Sequence, residues 1–522
     1  MSRMKLVTQL SRSLAASYIF TGSLGILPSQ AQPITPATDA TGTSVSPNGN
    51  RYDITGGSLS GDNANLFHSF SQFGLDAGQV ANFISQPNIQ NIFSRVVGGN
   101  VSRINGLIQV TGGNSNLFLM NPAGIIFGSN ASLNVPASFT ATTATGIGFG
   151  GGSFNAIGSS DYTSLVGTPN AFAFTTLQPG AIINSGNLGI NSGSLTLLGG
   201  TVVSTGQVSA PSGQITLAAV PGGSLVRLIQ QGQLLSLEVT PLADSQTPPG
   251  SGTLPVVALP QLLTGGSGSN ATGLRVNNNG QVELTGSGVP VVNGDVVAKS
   301  VTAQTATLSS TRNLTLVESQ LLTTGDLNLQ AQATLYVRDS IENLFNAQAG
   351  GNLYIQGNQG IDILALNHVQ PAFRSGGNLS LATNSDNGIS ADANFSSGGN
   401  FSILNLSSGS PGNFFSVDDP IIRSNGNVSF GNYRGASLKI VATGTVSTGN
   451  IDITRPSVVS SIPANDPDFI ALTTKRSLII NAQTGSITTG HINTSSPDAN
   501  DAGSVAFTAQ GNISTGNIRT ND

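Results

Sequence analysis

Short stretches in which apolar and polar residues alternate, separated by glycine and asparagine, cover most of this chain. Two examples are GLIQVTG at 106–112 and SLTLLGG at 194–200. A period of two predicts β-strands, and the frequent Pro and Gly leave little room for helices of any length. Residues 64–86 are a partial exception, because the spacing of Phe67, Phe70 and Phe73 fits either a helix or an aromatic-rich edge or cap.

A repeat becomes visible from about residue 310. A turn residue leads into Asn or Asp, followed by an apolar, a polar and another apolar residue, as in GGNLYI at 350–355 and GGNLSL at 376–381. Later copies are GGNFSI at 398–403, GNVSF at 426–430 and, in a second version, STGNI at 447–451 and 514–518. The period of roughly 20–27 residues is typical of a stacked repeat protein.

Each repeat holds two or three short strands, which is one coil of a parallel β-helix. Leucine-rich repeats would require a Leu-x-x-Leu-x-Leu frame with helical returns, and propeller blades would be longer. We therefore predict an all-β fold, a right-handed parallel β-helix with an N-terminal cap. At about 4.8 Å per coil the chain could form on the order of 20 coils. We expect the glycines to occupy corners that need a positive φ, a region that Asn also tolerates.

Composition excludes several classes of protein. Only 8% of the residues are charged and the net charge is −5, whereas disordered chains usually carry a high net charge and few β-branched residues. The longest basic run is Lys475-Arg476, so no phosphate-binding cluster is present and no nucleic-acid partner is expected. The chain has no Cys, which makes zinc or redox chemistry a poor fit.

The N-terminus has the pattern of a secretory signal. Arg3, Lys5 and Arg12 precede the apolar stretch SLAASYIFTGSLGIL at 13–27, and small residues follow it. We predict a signal peptide at 1–31, cleaved between Ala31 and Gln32. The apolar stretch is short for a membrane span, which needs roughly 20 residues, and we expect no transmembrane segment in the mature chain.

The densest apolar stretch is NLFLMNPAGIIFG at 116–128, where Asn121-Pro122-Ala123-Gly124 separates two strands. Asn can bond its own backbone two residues on and Pro fixes φ, so this tetrapeptide predicts a tight turn and not a reactive asparagine. A turn between apolar strands can also form a rigid edge onto which a partner adds a strand.

Candidate catalytic and metal-binding residues are sparse. His68, His368 and His491 lie in unrelated repeats, and we predict no metal site, no cofactor and no catalytic residue. A β-helix polysaccharide-degrading enzyme is the alternative, since such enzymes use acids clustered on one face. The closest acidic pairs, Asp418-Asp419 and Asp466 with Asp468, adjoin prolines and are expected in solvated loops.

Residues from about Gly42 to Phe149 resemble the N-terminal secretion domain of filamentous haemagglutinin-type exoproteins, the exported partners in two-partner secretion. The stretches that carry the resemblance are NLFHSFSQFGL at 65–75, VANFISQPNIQNIFSRVVGGNVSRINGLIQV at 80–110, NLFLMNPAGIIFGSNASLNV at 116–135 and SFTATTA at 138–144. Residues 186–223 also look like later coils of that family. The resemblance implies a capped β-helix, an outer-membrane barrel transporter as partner, passage through the periplasm of a two-membrane bacterium, and a secreted or cell-surface product.

The same resemblance assigns the secretion-recognition residues. The Asn-Pro-Asn-Gly motif of the family falls on Asn121–Gly124, with Ala123 where Asn is common. Its Asn-Pro-Asn-Leu motif falls on Asn114-Ser115-Asn116-Leu117, with Ser115 where Pro is common. The predicted set is Asn116, Leu117, Asn121, Pro122, Ala123, Gly124 and Ile125.

The predicted organisation is a signal peptide at 1–31, a filamentous haemagglutinin-type secretion domain at 32–280 and further β-helix repeats at 281–522. Residues 245–265, rich in Pro and Gly, are the candidate boundary or external loop. An autotransporter would carry a C-terminal membrane barrel with aromatic girdles, whereas this sequence finishes in GNISTGNIRTND. That pattern favours a separate transporter and a short or truncated member. The resemblance suggests adhesion, with cell-surface receptors or carbohydrate as partners.

Overall fold

The computed structural model describes residues 34–230, 233–241, 273–276, 282–285, 290–339, 343–365, 370–458, 462–496 and 503–520. All of them belong to one compact unit, Ala31–Asp522. The predicted cleavage site at Ala31 and Gln32, the proline-rich segment at 245–265 and His368 lie outside the described residues.

Three parallel ladders of strands form the body of the molecule, and each strand pairs with its counterpart in the coils before and after it. Ladder A comprises Asn65–Gln72, Asn91–Val96, Asn116–Met120, Phe139–Thr142, Leu195–Gly199, the last parts of Thr201–Ala219 and Val296–Ser310, Leu327–Ala331, Leu353–Gly357, Leu379–Thr383, Phe401–Asn405, Val428–Phe430, Val446–Thr448, Ile487–Thr488 and Ile513–Ser514.

Ladder B follows ladder A in each coil. It comprises Ser102–Ile104, Ile125–Phe127, Ala181–Asn184, the first parts of Thr201–Ala219 and Val296–Ser310, Leu314–Val317, Thr334–Arg338, Gly360–Leu364, the first part of Ile389–Ser397, Phe414–Ser416, Tyr433–Ala436, Ile451–Arg455, Ile492–Asn493 and Ile518–Arg519.

Ladder C completes each coil. It comprises Arg51–Gly56, Val80–Ile84, Leu107–Thr111, Ser132–Asn134, Asn187–Gly189, the middle parts of Thr201–Ala219 and Val296–Ser310, Gln320–Thr323, Asn346–Ala349, Phe373–Ser375, the last part of Ile389–Ser397, Pro420–Ser424, Leu438–Ala442, Ser477–Ala482 and Ser504–Ala509. The prediction of a parallel β-helix is therefore confirmed.

The remaining elements cap the helix or lie outside it. Thr35–Pro36 and Ser58–Leu59 pair antiparallel with the first strand of ladder A, and Thr43–Asn48 pairs antiparallel with Arg51–Gly56. A second, antiparallel sheet contains Gly146–Phe149, Gly152–Asn155, Ala171–Phe174, Ser224–Gln230 and Gln233–Pro241. A three-stranded sheet contains Gly273–Val276, Val282–Thr285 and Pro290–Val291, and the helical segments are Tyr162–Ser164 (3₁₀) and Phe469–Thr474 (α).

Residues 64–86 form strands, not a helix. Asn65–Gln72 and Val80–Ile84 open ladder A and continue ladder C, and the rings of Phe70, Phe73 and Phe83 meet inside the first coil. Phe70 faces the interior of the coil, whereas Phe67 faces the second sheet on the opposite side. Side chains on both faces are what a strand produces. Outside the body of the helix lie the described strands between Thr142 and Ala181 and between Ala219 and Val296, so among the described residues the number of coils is below the estimate from length.

The hydrophobic core is one continuous cluster along the helix axis. In ladder A, Leu353, Leu379, Phe401 and Val428 occupy the same position in successive coils and are each at most 1% exposed. Parallel pairing in register places each apolar side chain on its counterpart in the next coil, about 4.8 Å away. The alternation seen in the sequence is therefore the inside–outside alternation of the ladders.

The repeated asparagines form a second stack at the corner that precedes ladder A. In each coil the side-chain Oδ1 of the asparagine accepts a hydrogen bond from the backbone N–H of the asparagine in the next coil, at 2.8–2.9 Å. The stack runs from Asn352 through Asn378 and Asn400 to Asn427. A parallel stack runs through the second version of the repeat, from Asn432 to Asn450 to His491. These bonds satisfy backbone donors at a corner where the strand ladder is interrupted.

The expectation that repeat glycines need a positive φ is wrong for this stack. Gly377 and Gly399 do not have a positive φ, although Gly124 and several cap glycines do. A Cβ on Gly377 would lie 2.6 Å from Asn352 Oδ1, and one on Gly399 would lie 2.5 Å from Asn378 Oδ1. The glycine is required because the asparagine of the preceding coil fills the space of its side chain.

Replacing Gly377 with Ala should therefore destabilise the helix by about 1–3 kcal/mol, the usual cost of forcing an extra methyl group into a packed site. Thermal unfolding followed by circular dichroism should give a lower Tm. Gly150→Ala is the control, because a Cβ there meets no atom within 4 Å and its φ is not positive. Equal Tm values for the two variants would contradict the steric explanation.

Candidate functional site

The Asn121–Gly124 tetrapeptide forms the corner between ladders A and B in an early coil. The backbone N–H of Gly124 donates to the carbonyl of Asn121 at 3.0 Å, and the Asn121 Oδ1 accepts from the backbone N–H of Ala123 at 3.0 Å. Gly124 has φ +123°, which favours glycine, and its hypothetical Cβ would lie 3.1 Å from the carbonyl oxygen of Ala181. The turn expected from the sequence is present, with the asparagine side chain closing it.

The side chain of Asn121 also joins two coils. Its Nδ2 donates to the carbonyl of Asn100 and to Ser102 Oγ, both at 2.9 Å. Ser102 begins the ladder B strand of the preceding coil, and its own N–H donates to the carbonyl of Gly124. Asn121 is fully buried. Its polar groups are therefore used within the fold.

The other predicted recognition residues divide between interior and surface. Leu117 and Ile125 face the core and are at most 1% exposed, and Gly124 is buried as well. Asn116, Pro122 and Ala123 are partly exposed. The fold thus presents only the tip of the turn and one asparagine to solvent.

Asn116 belongs to a short stack of amides on the outer face of ladder A. Its Nδ2 donates to Asn91 Oδ1, and the Nδ2 of Asn91 donates to Asn65 Oδ1, both at 2.8 Å. Asn65 in turn donates to the carbonyls of Leu165 and Gly167 in the outer segment. Asn116 therefore contributes to a structural stack that starts at the first coil.

Arg95 connects the cap, the first coil and the second sheet, and the sequence analysis did not single it out. It is 2% exposed; its guanidinium donates to Asp39 Oδ2 at 2.9 Å, to Ser69 Oγ at 3.0 Å and to the carbonyls of Asn155 and Gly158. Burial raises the pKa of Asp39, but hydrogen bonds from Ser69 and Thr41 outweigh it and lower the pKa to about 2. The sequence contained a sign of this buried role, because a lone Arg within the apolar run NIFSRVV is unusual.

His68 lies inside the first coil, beneath the cap. The ring centroid is 5.8 Å from that of Phe83 and 6.2 Å from that of Phe70, and neither ring nitrogen has a hydrogen-bond partner. Burial lowers the pKa of His68 to about 4. The imidazole is therefore packed in the core in its neutral form.

The acidic pairs are not solvated loops, which corrects the sequence-based expectation. The side chain of Asp466 is 5% exposed; its Oδ1 lies 2.5 Å from Lys439 Nζ, which also contacts Asp468 at 2.8 Å. These ion pairs attach the segment around the Phe469–Thr474 helix to ladder C. Asp419 is 1% exposed, and the backbone N–H of Asp418 donates to the buried Asp392.

Within the described residues, no group of three or more His, Asp or Glu side chains is arranged to hold a metal ion. The acids bond to cations or backbone amides of the fold, and His491 accepts a backbone bond from Asn517 in the asparagine stack. The described part of the chain also contains no helix of the length and hydrophobicity that a membrane crossing requires.

Protonation of His68 should destabilise the fold in mild acid. Its pKa is about 4 in the folded protein and about 6.5 when unfolded, so stability is complete above pH 6.5 and decreases as the pH falls towards 4. The expected loss is of the order of 3 kcal/mol. His68→Leu should remove this part of the pH dependence; denaturant unfolding between pH 4 and 7 measures it. An unchanged profile in the variant would assign the effect to other groups.

Comparison with known proteins places the early coils in a family. Residues 31–246 match the model of the family described as TPS secretion domain. Among curated proteins, none matches the chain.

Solved structures similar to the chain include two secretion domains. The HMW1 secretion domain from Haemophilus influenzae is 14% identical with a TM-score of 0.36, and the match covers 94% of this chain and 100% of that one. A filamentous hemagglutinin secretion domain is 13% identical with a TM-score of 0.31, covering 93% and 100%. The family match rests on residues 31–246, which contain the cap, the second sheet and the Asn121–Gly124 corner. Over these residues the chain is similar to TPS secretion domains, the N-terminal domains of two-partner secretion exoproteins.

Proposed function

We propose that a dedicated outer-membrane barrel transporter exports this chain through its N-terminal domain, and that the exported β-helix acts as an adhesin or interaction rod. The observation that carries the proposal is the family match over residues 31–246. A TPS secretion domain implies a protein secreted across the outer membrane to the cell surface or beyond. The domain is known as a secretion domain and not as an enzyme.

The exported state is consistent with the chemistry of the chain. A chain without Cys cannot form a disulfide loop that would obstruct passage in an extended state. This chain also carries few charged side chains, so few charges would have to give up bound water during passage. Each coil buries its apolar side chains against the next, so folding can proceed coil by coil as the chain emerges. The predicted domain boundary at about residue 280 and the signal peptide at 1–31 are part of this proposal.

The Asn121–Gly124 corner is the proposed recognition motif, together with Asn116, Leu117 and Ile125. Because Asn121, Leu117, Gly124 and Ile125 are buried in the folded domain, we infer that the transporter reads them before the coil closes, while the chain is extended. In the folded state the same residues form the corner. Pro122 and Ala123, at the partly exposed tip, are the positions that a partner can contact in either state.

Replacing Asn121 with Ala should reduce secretion at least tenfold when the chain and its barrel are produced together. The variant also loses the three hydrogen bonds of the Asn121 side chain, with a cost of about 1–3 kcal/mol, so a stability effect must be separated from a recognition effect. The measurement is the amount of chain in the medium relative to the amount in the periplasm.

Asn184→Ala is the matched control. Asn184 is equally buried at a neighbouring corner; its Nδ2 donates to Ser204 Oγ at 3.0 Å and its Oδ1 accepts from the N–H of Gly186. Loss of secretion in Asn121→Ala alone supports recognition. Equal losses in both variants would show that only stability matters and would refute the assignment of the motif.

The cap offers an edge for a partner strand. Among the described strands, Thr43–Asn48 pairs only with Arg51–Gly56, so its other edge is available for strand addition. Pro47 removes one donor from this strand and limits uncontrolled pairing. We propose that an extended strand of the periplasmic part of the transporter adds to this edge.

Ser46→Lys should weaken binding of the folded domain to that periplasmic part about tenfold, because a charged side chain disfavours addition to a strand edge. Ser46 is exposed and lies opposite Asp53, so the fold accommodates a lysine. Ser153→Lys, on the exposed edge strand of the second sheet, is the control and should bind normally. Titration calorimetry measures both; equal affinities would exclude this edge as the docking site.

A further inference from the structure

We propose that Lys439 and Asp466 join through an amide bond between their side chains once the chain has folded, with Asp468 as the group that transfers the protons. The bond is a covalent modification that the chain makes by itself. It attaches the covering segment, residues 462–476, to ladder C. Lys439 lies in Leu438–Ala442 of that ladder, and both aspartates lie in the covering segment. The inference goes beyond the proposed function and does not depend on export.

Lys439 lies on the outer face of ladder C between apolar residues. Its chain neighbours Leu438 and Ile440 belong to the core, so its own side chain faces outward. The residues paired with it in the coils before and after are Ile421 and Ile479. The lysine is nevertheless only 6% exposed. A lysine is almost never buried to this extent unless it is paired.

The covering segment encloses this part of the ladder. Its Ile462 and Leu472 pack with Ile421 in one buried cluster, and Phe469 adjoins that cluster. Two opposite charges that have lost their water are costly to keep in such surroundings. An amide carries no charge, so its formation removes that cost. It would also hold the segment on the helix in a chain that has no Cys for a disulfide.

The carboxyl group of Asp466 is held against the lysine through both of its oxygens. Its Oδ1 lies 2.5 Å from Lys439 Nζ and accepts from the backbone N–H of Asp468 at 2.9 Å. Its Oδ2 lies 3.5 Å from the guanidinium group of Arg423. The side chains of Asp466 and Lys439 are 5% and 7% exposed. Holding an amine against a carboxyl group in this way replaces a bimolecular encounter with an oriented contact, which favours reaction.

Asp468 supplies a second carboxylate in a different environment. Its Oδ2 lies 2.8 Å from Lys439 Nζ, and its side chain is 33% exposed, whereas Asp466 is enclosed. It can therefore accept a proton from the ammonium group and exchange it with solvent. Paired carboxyl groups in unlike surroundings commonly divide their roles in this manner. Asp466 is the acid that reacts, and Asp468 is the acid that transfers protons.

The reaction requires no other molecule. Asp468 transfers one proton from the ammonium group to Oδ1 of Asp466, and the lysine nitrogen then bonds to Cγ. The negative charge of the tetrahedral intermediate develops on Oδ2, which faces Arg423. Asp468 passes a second proton from the nitrogen to Oδ1, the Cγ–Oδ1 bond breaks, and one water leaves. An ammonium group and a carboxylate thus become an amide and water, without oxidation or reduction.

The bond should form slowly. Burial raises the pKa of Asp466, but hydrogen bonds from Lys439 and from the backbone N–H of Asp468 outweigh it and lower the pKa. The ion pair therefore predominates over the neutral pair that reacts. A freshly refolded chain should start without the bond and acquire it with time.

The test is mass spectrometry of the purified full-length chain, refolded at neutral pH and sampled with time. We expect the intact mass to fall by the mass of one water. Trypsin should fail to cleave after Lys439, so that residues 435–475 appear as one peptide lighter by one water, since the Arg455-Pro456 bond resists trypsin. A cyclic imide at an aspartate also loses water, but it would leave cleavage after Lys439 intact.

Lys299 is the control within the same digest. Its Nζ lies 3.7 Å from a Glu318 carboxylate oxygen, and its side chain is 41% exposed, so it has neither the close contact nor the enclosure of Lys439. Trypsin should cleave after Lys299 at every time point.

Three variants separate the roles. Lys439→Arg keeps the positive charge without the amine and should retain the water, and so should Asp466→Ala. Asp468→Asn keeps the size of the side chain and should slow bond formation at least about tenfold, because it removes the group that transfers protons. Asp326→Asn is the matched control for that change. Asp326 lies in the corner stack, where its Oδ1 accepts from the N–H of Asn352, and its variant should form the bond at the normal rate.

Two results would overturn the proposal. They are complete cleavage after Lys439 at full peptide mass after prolonged incubation of the folded chain, and a loss of water from this peptide that persists in Lys439→Arg. Equal rates in Asp468→Asn and Asp326→Asn would refute the role of Asp468. The first result comes from the unaltered chain and so does not depend on the folding of any variant. Failure here would leave the export proposal untouched, and failure of the secretion assay would leave this bond untouched.

Discussion

The structure depends on the in-register stacking of each strand on its counterpart in the next coil. In a parallel β-helix every residue meets the residue at the same position one coil away, about 4.8 Å distant. An apolar position must therefore remain apolar from coil to coil, as Leu353, Leu379 and Phe401 do. A polar position at a corner must find its hydrogen bonds in the next coil, as Asn352, Asn378 and Asn400 do.

The same constraint explains why the proposed recognition motif is largely buried. Asn121 closes its own turn and bonds Ser102 in the preceding coil, so a residue that a transporter could read is also a structural residue. A secretion domain that is extended during export and folded afterwards can use one sequence for both purposes. In the export route that we propose the two uses are separated in time, and the partly exposed Pro122 and Ala123 are the part of the proposed motif that remains accessible in the fold.

Departures from the stacked pattern carry the features specific to this chain. Arg95 connects the cap to the second sheet, where coils alone would leave an open edge. Lys439 attaches the segment around Asp466 to ladder C. Glu318 adopts a positive φ at a corner between ladders B and C. A repeat fold supplies the scaffold, and function is added at such exceptions.

The sequence by itself determined the fold class, the inward and outward positions of the strands, and the turn at Asn121–Gly124, because these follow from local periodicity and local turn chemistry. Only the tertiary structure decided what the corners require. Gly377 is needed because Asn352 approaches it closely, and not because of its φ. This requirement cannot be predicted from the sequence without knowing which residue lies one coil away. Arg95, His68 and Asp466 likewise owe their environments to contacts between distant segments. A local pattern specifies a strand or a turn, but burial and partner choice are properties of the assembled coils.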